Sequence, residues 1–313
     1  MKILLHYRPS PRFRALLDEM LPAAMELMIV DATDDAGFAR ALPDADVLFH
    51  VLRPLSAADI ELARVLKLIQ KIGVGVNTIA LEAARIRGIA VCNMPGSNSQ
   101  AVAEQTLMLM LAALRRVEIF SRELRAGRWQ PQDSDIDQVG EISGRTVGFV
   151  GFGAIPSTLA PVIAALGGKV IYTARAPKPG LPWQYRDLDT LLAEADIISL
   201  HVPANEATRG MIGRDALARM KRGAVLVNTA RGDLIDEDAL GEALRTGQLA
   251  AAGLDVFAKE PLTRDHPLLA LPNLVATPHL AWLTPETLRR SLALGFENCR
   301  RVVAGQDLLH RVI

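Results

Sequence analysis

The sequence predicts an α/β protein: a doubly wound parallel sheet preceded by a second, smaller α/β sheet. Three observations carry this prediction. Short apolar runs alternate with amphipathic helical patterns along nearly the whole chain, which is the signature of βαβ units. One such run ends in Gly151-Phe152-Gly153 and passes directly into a helical pattern. At 313 residues the chain is also longer than one ordinary domain.

In chain order, the first set of strands reads KILLH, MELMIV, ADVLFHV, KLIQKIG and IAVCN. Amphipathic segments such as Ser56–Leu66 and Thr78–Arg87 separate them, giving a small open sheet that ends near residue 100. A long helix is expected from Gln100 to Ala126. Its apolar stripe, including Val102, Leu107, Leu109, Met110, Leu111, Leu114 and Ile119, is too wide for one buried face and calls for a second domain or subunit. The polar, breaker-rich stretch 127–140 reads as a crossing loop. A second series starts at Thr146, with strands TVGFVGF, KVIYTA, IISLHV, AVLVNTA, AAGLDVF and LVATP. These six strands and their intervening helices make a complete doubly wound sheet. A last helix covers Thr284 to Val303, and no solenoid-type repeat is present.

Composition excludes several classes of function. Lys plus Arg and Asp plus Glu both number 35, so there is no electrostatic case for nucleic acid or an anionic membrane as partner. Cys92 and Cys299 are too few for a disulfide framework or a cysteine-based zinc site, and the histidines lack metal-ligand spacing. Cys92 reads as a small buried hydrophobe. The apolar run at the N-terminus is too short for a signal peptide and no stretch is long enough to span a membrane, so a cytoplasmic location is expected.

The strand-to-helix turn TVGFVGFGAIP is the strongest local signal. Gly151 permits a tight turn and Gly153 lets the backbone approach a pyrophosphate, while the following helix N-terminus offers free N–H groups, those of Ala154 and Ile155, to the phosphates. The third fingerprint glycine is replaced by Pro156, which a first helical turn tolerates. About twenty residues on, an acid normally binds the ribose of NAD. Here the strand ends Tyr172-Thr173-Ala174-Arg175-Ala176-Pro177-Lys178, without an acid. Thr173 and Arg175 suit a 2′-phosphate, which favours NADP(H) while leaving NAD(H) possible. The plainer reading of Arg175 is a surface cation with no ligand.

Three polar residues stand in loop-like contexts in the second half: Arg231 in VNTARGDLID, Glu260 in GLDVFAKEP and His279 in ATPHLAW. An arginine offers a planar fork to a carboxylate, and a histidine held by a carboxylate exchanges protons near neutral pH. Singly, each has an ordinary explanation as a surface cation, a solvated turn acid or a capping histidine. Arg231 and Asp255 both follow strands at the carboxyl end of the sheet, where ligands of open α/β folds bind. His201, at the end of SLHVP, either lines the same region or is structural. The acidic run Asp233–Asp238 reads as a helix start.

From Lys71 to Trp282 the chain resembles the D-isomer-specific 2-hydroxyacid dehydrogenase family. The likeness rests on KIGVGVNTIALEAARIRGIAVCNMPG, AVAEQTLMLML, GRTVGFVGFGAI, ADIISLHVPANEATRGMI, MKRGAVLVNTARGDLIDEDAL, AGLDVFAKEPL and LPNLVATPHLAW, in family order and spacing. The first seventy residues match only in strand pattern. The YTAR ending resembles the NADPH-dependent glyoxylate/hydroxypyruvate reductase branch.

The resemblance implies a Rossmann coenzyme domain, 100–283, inserted in a flavodoxin-like substrate domain, 1–99 plus 284–313, with a cleft between them. It implies a homodimer built on the helix after Gln100, and a small 2-keto or 2-hydroxy acid as substrate. Arg231 would bind the substrate carboxylate and keto oxygen, His279 would act as the acid, and Glu260 would orient the ring. Backbone N–H groups around Val74 and Gly75 would meet the carboxylate, a better reading of Gly73-x-Gly75 than a second dinucleotide turn. Asp255 would lie near the nicotinamide carboxamide, and Thr106, Val202, Pro203, Thr229 and Ala230 would line the coenzyme. Trp282 would either wall the pocket or pack. Two other readings stand beside this one: a dinucleotide-sensing corepressor-like scaffold, and D-3-phosphoglycerate dehydrogenase, disfavoured by the lack of a regulatory domain after Ile313 and of an evident phosphate clamp.

Overall fold

The computed structural model of the chain describes residues 1–129 and 136–313. The middle of the crossing loop expected at 127–140 therefore lies outside the described residues. The chain divides into two compact units, Met1–Asn98 with Leu283–Ile313, and Ser99–Trp282.

The first unit holds five parallel strands, β1 (Lys2–His6), β2 (Glu26–Val30), β3 (Val47–His50), β4 (Leu68–Lys71) and β5 (Ala90–Cys92). Their order is β2-β1-β3-β4-β5, the flavodoxin-like arrangement. The helices are α1 (Pro11–Met20), α2 (Asp35–Ala41), α3 (Ala57–Leu62) and α4 (Leu81–Ile86). The segments expected to be helical at Ser56–Leu66 and Thr78–Arg87 thus form shorter helices. Ser56 starts α3 with a capping box to Asp59, and the helix ends at Leu62. The C-terminal helix α11 (Pro285–Ala304) packs Phe296 against Phe49 of β3, ring centroids 5.6 Å apart.

Beyond α11 the tail covers the free edge of β5. Val312 N–H donates to Val91 O at 2.7 Å and Asn93 N–H to His310 O at 3.2 Å. Buried Asn298 holds the tail by accepting from Leu309 N–H at 2.8 Å and donating to Leu309 O and Gln70 Oε1. Edge pairing of this kind removes an open template for strand addition.

The second unit holds seven parallel strands, β6 (Thr146–Val150), β7 (Lys169–Thr173), β8 (Gln184–Tyr185), β9 (Ile197–Leu200), β10 (Ala224–Asn228), β11 (Leu249–Leu254) and β12 (Leu274–Ala276). The order β12-β11-β10-β9-β6-β7-β8 is that of a doubly wound sheet, with its switch point between β6 and β9. Six of these strands match the apolar runs in the sequence. The seventh, β8, is two residues long and too short to leave a pattern.

Both faces of this sheet are buried, which is why its strands read as continuous apolar runs. Along β10, Ala224 and Leu226 enter one core and Val225 and Val227 the other. The first core also takes residues of α8 (Leu188–Glu194), α9 (Arg214–Arg219) and α10 (Glu237–Arg245); the second takes residues of α5 (Ser99–Leu114) and α7 (Ala154–Ala165).

The single helix expected from Gln100 to Ala126 is two, α5 and α6 (Val117–Arg125). The break falls at Arg116, which adopts a left-handed conformation with φ 49°. The carbonyl of Leu114 accepts from Gly140 N–H at 2.9 Å rather than from a continued helix. Met108 and Leu111 of α5 remain exposed. No helix among the described residues is long and apolar enough to cross a membrane.

In the first unit's sheet, His50 is buried, donates from Nε2 to Arg53 O at 2.7 Å and faces Lys71 Nζ with Nδ1 at 3.4 Å. Burial, with the Lys71 charge adding to it, pushes the ring down to about 3. An unfolded histidine titrates near ~6.5, so below that pH the unfolded chain takes up a proton that the native state refuses. The stability tied to this group is complete above pH ~6.5 and falls as the pH drops. Urea unfolding should show a lower midpoint at about pH 5 than at about pH 7.5, and His50→Gln should flatten that fall. An unchanged pH slope in the variant would contradict a neutral buried ring.

Candidate active site

The turns after β6, β9, β10, β11 and β12 all leave the carboxyl end of the second unit's sheet. At β6 the fingerprint has the geometry its glycines require. Gly151 has φ +91°, and a Cβ there would sit 2.6 Å from His201 O. A Cβ on Gly153 would meet nothing within 4 Å, so the backbone faces open space where α7 begins. The first N–H groups of a helix have no intrahelical acceptor, which leaves those of Ala154 and Ile155 directed at that space. Pro156 is the third residue of α7 and is buried. This cradle fits the pyrophosphate of a dinucleotide.

Thr173 ends β7 and is half-buried, while Arg175 beyond it is exposed and forms no ion pair among the described residues. Val202 and Pro203 follow β9 after His201. Thr106 of α5 is fully buried and shares a 2.8 Å hydrogen bond with Thr229 after β10. His201 pairs through Nε2 with Ser199 Oγ at 2.8 Å, and burial pushes the ring down to about 3, so it is neutral.

After β10 the chain turns around Asn228, a residue whose role no motif in the sequence announces. Its buried side chain accepts from Ala230 N–H at 2.9 Å and donates to Arg231 O at 2.8 Å, fixing the turn that presents Arg231. The Arg231 guanidinium donates to Ala230 O at 2.6 Å. Burial pushes it below its ordinary value, and the nearby Glu260 carboxylate opposes the shift.

Glu260 and His279 meet: Glu260 Oε2 lies 2.6 Å from His279 Nδ1, and Oε1 accepts from Phe257 N–H at 2.9 Å. Burial pushes the Glu260 carboxyl up, but the His279 hydrogen bond and charge, the Phe257 N–H and Arg231 together bring it below the usual carboxylate range. It is therefore an anion that accepts Nδ1–H. The ring nitrogen left over is Nε2, which has no partner among the described residues.

His279 takes a left-handed backbone conformation, φ 51°, unusual for a residue with a side chain. Asp255 explains how it is held. This carboxylate is fully buried and accepts from Thr277 Oγ1 at 2.5 Å, Leu280 N–H at 3.1 Å and Ala281 N–H at 2.9 Å, while its own carbonyl accepts His279 N–H at 2.7 Å. Burial pushes the Asp255 carboxyl up; these donors and the His279 charge offset only part of that. Gln105 of α5 donates to Thr277 Oγ1 at 3.0 Å, extending the chain of bonds to a helix. Trp282 is 8% exposed and its indole N–H donates to His279 O at 3.2 Å, so it braces the same turn.

In the first unit, the loop at Val74 and Gly75 is tied by its carbonyls. Met94 N–H donates to Gly73 O at 2.9 Å and Asn93 Nδ2 to Val74 O at 2.9 Å. No group of three or more His, Cys, Asp or Glu among the described residues could hold a metal ion. A cavity of about 630 Å³ lies at the amino end of β11 and β12, lined by Arg116, Arg245 and Asn273 among others. It contains none of Arg231, Glu260 and His279 and is set apart from this chemistry at the opposite end of the strands.

Known proteins share this fold and much of this sequence. The sequence model for the NAD-binding domain of the D-isomer specific 2-hydroxyacid dehydrogenases matches residues 107–281. Hydroxypyruvate reductase of Thermotoga maritima is 42% identical over 255 residues, 80% of this chain and 82% of its own. D-3-phosphoglycerate dehydrogenase of Mycobacterium leprae is 41% identical over 289 residues; these are 90% of this chain but only 54% of that enzyme. The solved structure of the TT0316 protein from Thermus thermophilus has a TM-score of 0.91 at 38% identity, with complete coverage of both chains.

Fold and family model together define the class: an oxidoreductase that uses a nicotinamide dinucleotide and acts on a CH–OH group. The chain belongs to the D-isomer specific 2-hydroxyacid dehydrogenase family, which acts on small 2-keto and 2-hydroxy acids.

The Arg231 and Glu260 loops touch through Gly232, where a Cβ would fall 1.8 Å from the carbonyl carbon of Phe257 and 2.2 Å from Ala258 N. Backbone cannot yield as a flexible side chain does, so Gly232→Ala must separate the two loops. We expect at least a ~100-fold fall in turnover, since a misplacement of ~1 Å has that effect, and a lower melting temperature. Wild-type turnover in this variant would show that loop spacing is not critical.

Proposed function

We propose that the chain is an NADPH-dependent reductase of small 2-keto acids, with glyoxylate and hydroxypyruvate as the preferred substrates, giving the D-2-hydroxy acid. The observation that carries this reading is the 2.6 Å pairing of His279 Nδ1 with an ionised Glu260, which leaves Nε2 as the ring atom open to exchange a proton with a ligand. When bound, the reduced nicotinamide supplies a hydride to the carbonyl carbon of the keto acid.

The chain's own residues do the rest. His279 gives its Nε2 proton to the carbonyl oxygen and recovers one from solvent afterwards. Glu260 fixes the ring orientation and balances the imidazolium charge. Arg231 grips the substrate carboxylate and polarises the keto oxygen through its planar fork of donors. Backbone N–H groups of Val74 and Gly75 are assigned to the substrate, and Trp282 to bracing the turn that carries His279. We assign the unit 99–282 to the coenzyme and the unit formed by 1–98 and 283–313 to the substrate.

For the coenzyme, Gly151, Gly153, Ala154 and Ile155 are assigned to the pyrophosphate, and Thr106, Val202, Pro203, Thr229 and Ala230 to the nicotinamide side, where Asp255 orders the adjoining His279 turn. Thr173 and the exposed Arg175 support a 2′-phosphate, hence NADPH over NADH. The exposed Met108 and Leu111 on α5 support a homodimer. A cytoplasmic location fits this metabolic role. The match to D-3-phosphoglycerate dehydrogenase over 90% of the chain supports one other reading, oxidation of a phosphorylated hydroxy acid.

Steady-state assays with glyoxylate, hydroxypyruvate and 3-phosphohydroxypyruvate, each with NADPH and NADH, test both. The first two acids with NADPH should give the highest kcat/KM, and preference for the phosphorylated acid would favour the other reading. Arg175→Ala should lower kcat/KM for NADPH by about tenfold and leave NADH nearly unchanged. His279→Ala should lower kcat at least ~100-fold. Absence of coenzyme oxidation across the whole panel would refute a reductase.

A further inference from the structure

Glu260 sits on a loop held by polar contacts and not by apolar packing. Ala258, Lys259 and Glu260 are all exposed, so no apolar core fixes their position. A side-chain hydrogen bond onto the loop's backbone comes from Glu237, the first residue of α10. Its Oε1 accepts from Ala258 N–H at 2.8 Å. Its Oε2 lies 3.4 Å from His266 Nε2, on the chain just beyond the same loop. The side chains of Glu237 and His266 are 18% and 22% exposed, so the pair is largely shielded from water. His266 in turn packs edge-on to Phe257, ring centroids 6.3 Å apart.

An acid at the first position of a helix ordinarily just favours the positive end of the helix dipole, as a solvated charge. Glu237 is placed differently. Asp236, not Glu237, caps the helix by accepting from Ala239 N–H at 3.0 Å, which frees Glu237 to turn onto the neighbouring loop. The same helix follows directly on the Arg231–Gly232 turn, which lies against the Phe257–Ala258 peptide. One short stretch of chain therefore carries the arginine, the close contact and the clamp.

We infer that Glu237, backed by His266, is a positioning residue that registers the Glu260 loop against the Arg231 turn and so sets the Glu260–His279 pair. The inference rests on the catalytic reading proposed above. Neither residue is among those assigned to the substrate; both act through Phe257 and Ala258. A carboxylate accepting a backbone N–H is a strong, directional bond, and holding a catalytic group to within about half an ångström depends on supports of this kind.

Three variants test it: Glu237→Ala, Glu237→Gln and His266→Ala. Kinetics are read well below each melting temperature, and the His279 ring is followed by ¹⁵N NMR in histidine-labelled protein, with His279→Gln used for assignment. Glu237→Ala should lower kcat about tenfold or more with KM for the keto acid within about twofold, and should displace the His279 Nδ1 signal. Glu237→Gln keeps an oxygen for Ala258 N–H and should recover both readouts to within about twofold. His266→Ala, which leaves Glu237 in place, should show a smaller change in the same direction.

Wild-type kcat and an unmoved His279 signal in Glu237→Ala, whatever its melting temperature, would overturn the inference. So would a Gln variant as damaged as the Ala variant. The ring signal reports on the clamp even if the wild type turned over no 2-keto acid, so failure of the clamp and failure of the reductase reading give different results.

Discussion

The buried carboxylate of Asp255 organises the polar architecture of the second unit. Removing a carboxylate from water costs several kcal/mol unless its oxygens are satisfied. Here Thr277, Leu280 and Ala281 supply three donors, all from the segment that carries His279. The carboxylate can be satisfied only if that segment folds back over the end of β11. The left-handed turn at His279 follows from this requirement.

From that anchor the other parts fall into register. His279 is aimed by its turn at Glu260, whose second oxygen is held by the N–H of Phe257 at the start of its own loop. Arg231 is aimed by the side-chain amide of Asn228, the last residue of a strand that is buried on both faces. The three functional groups thus sit on loops, but each loop is tied by polar side chains close to the end of a strand. Rigid strands with short, hydrogen-bonded loops are the arrangement that preorganises a charge-stabilising site.

Much of this was legible in the sequence, and the reason differs from part to part. Runs such as KILLH and AVLVN announce parallel strands because both sheet faces are buried and few polar residues interrupt them. The Gly151-Phe152-Gly153 turn was legible because only glycine suits its φ and its closeness to His201 O. The helix break at Arg116 was not, since it uses neither glycine nor proline and depends on Gly140 reaching back to Leu114. The use of Asp255 as the anchor of the His279 turn, and of Glu237 as the tie on the Glu260 loop, was also invisible. Both depend on backbone N–H groups brought close by the fold, and an N–H group leaves no trace in residue type. Trp282 illustrates the same limit: a large apolar ring at that spacing suits a pocket wall or a packed brace, and its indole N–H on His279 O supplies the second role.

If Asp255 acts by ordering the His279 turn, Asp255→Asn should expose it, because an amide keeps the shape but replaces one acceptor by a donor facing a backbone N–H or a hydroxyl. Coenzyme dissociation constants and kcat, measured side by side, separate ordering of the turn from contact with the coenzyme. The expected result is a fall in kcat of about a hundredfold with coenzyme affinity within about threefold of wild type. A variant that keeps wild-type kcat, or that loses only coenzyme affinity, would contradict an ordering role for Asp255.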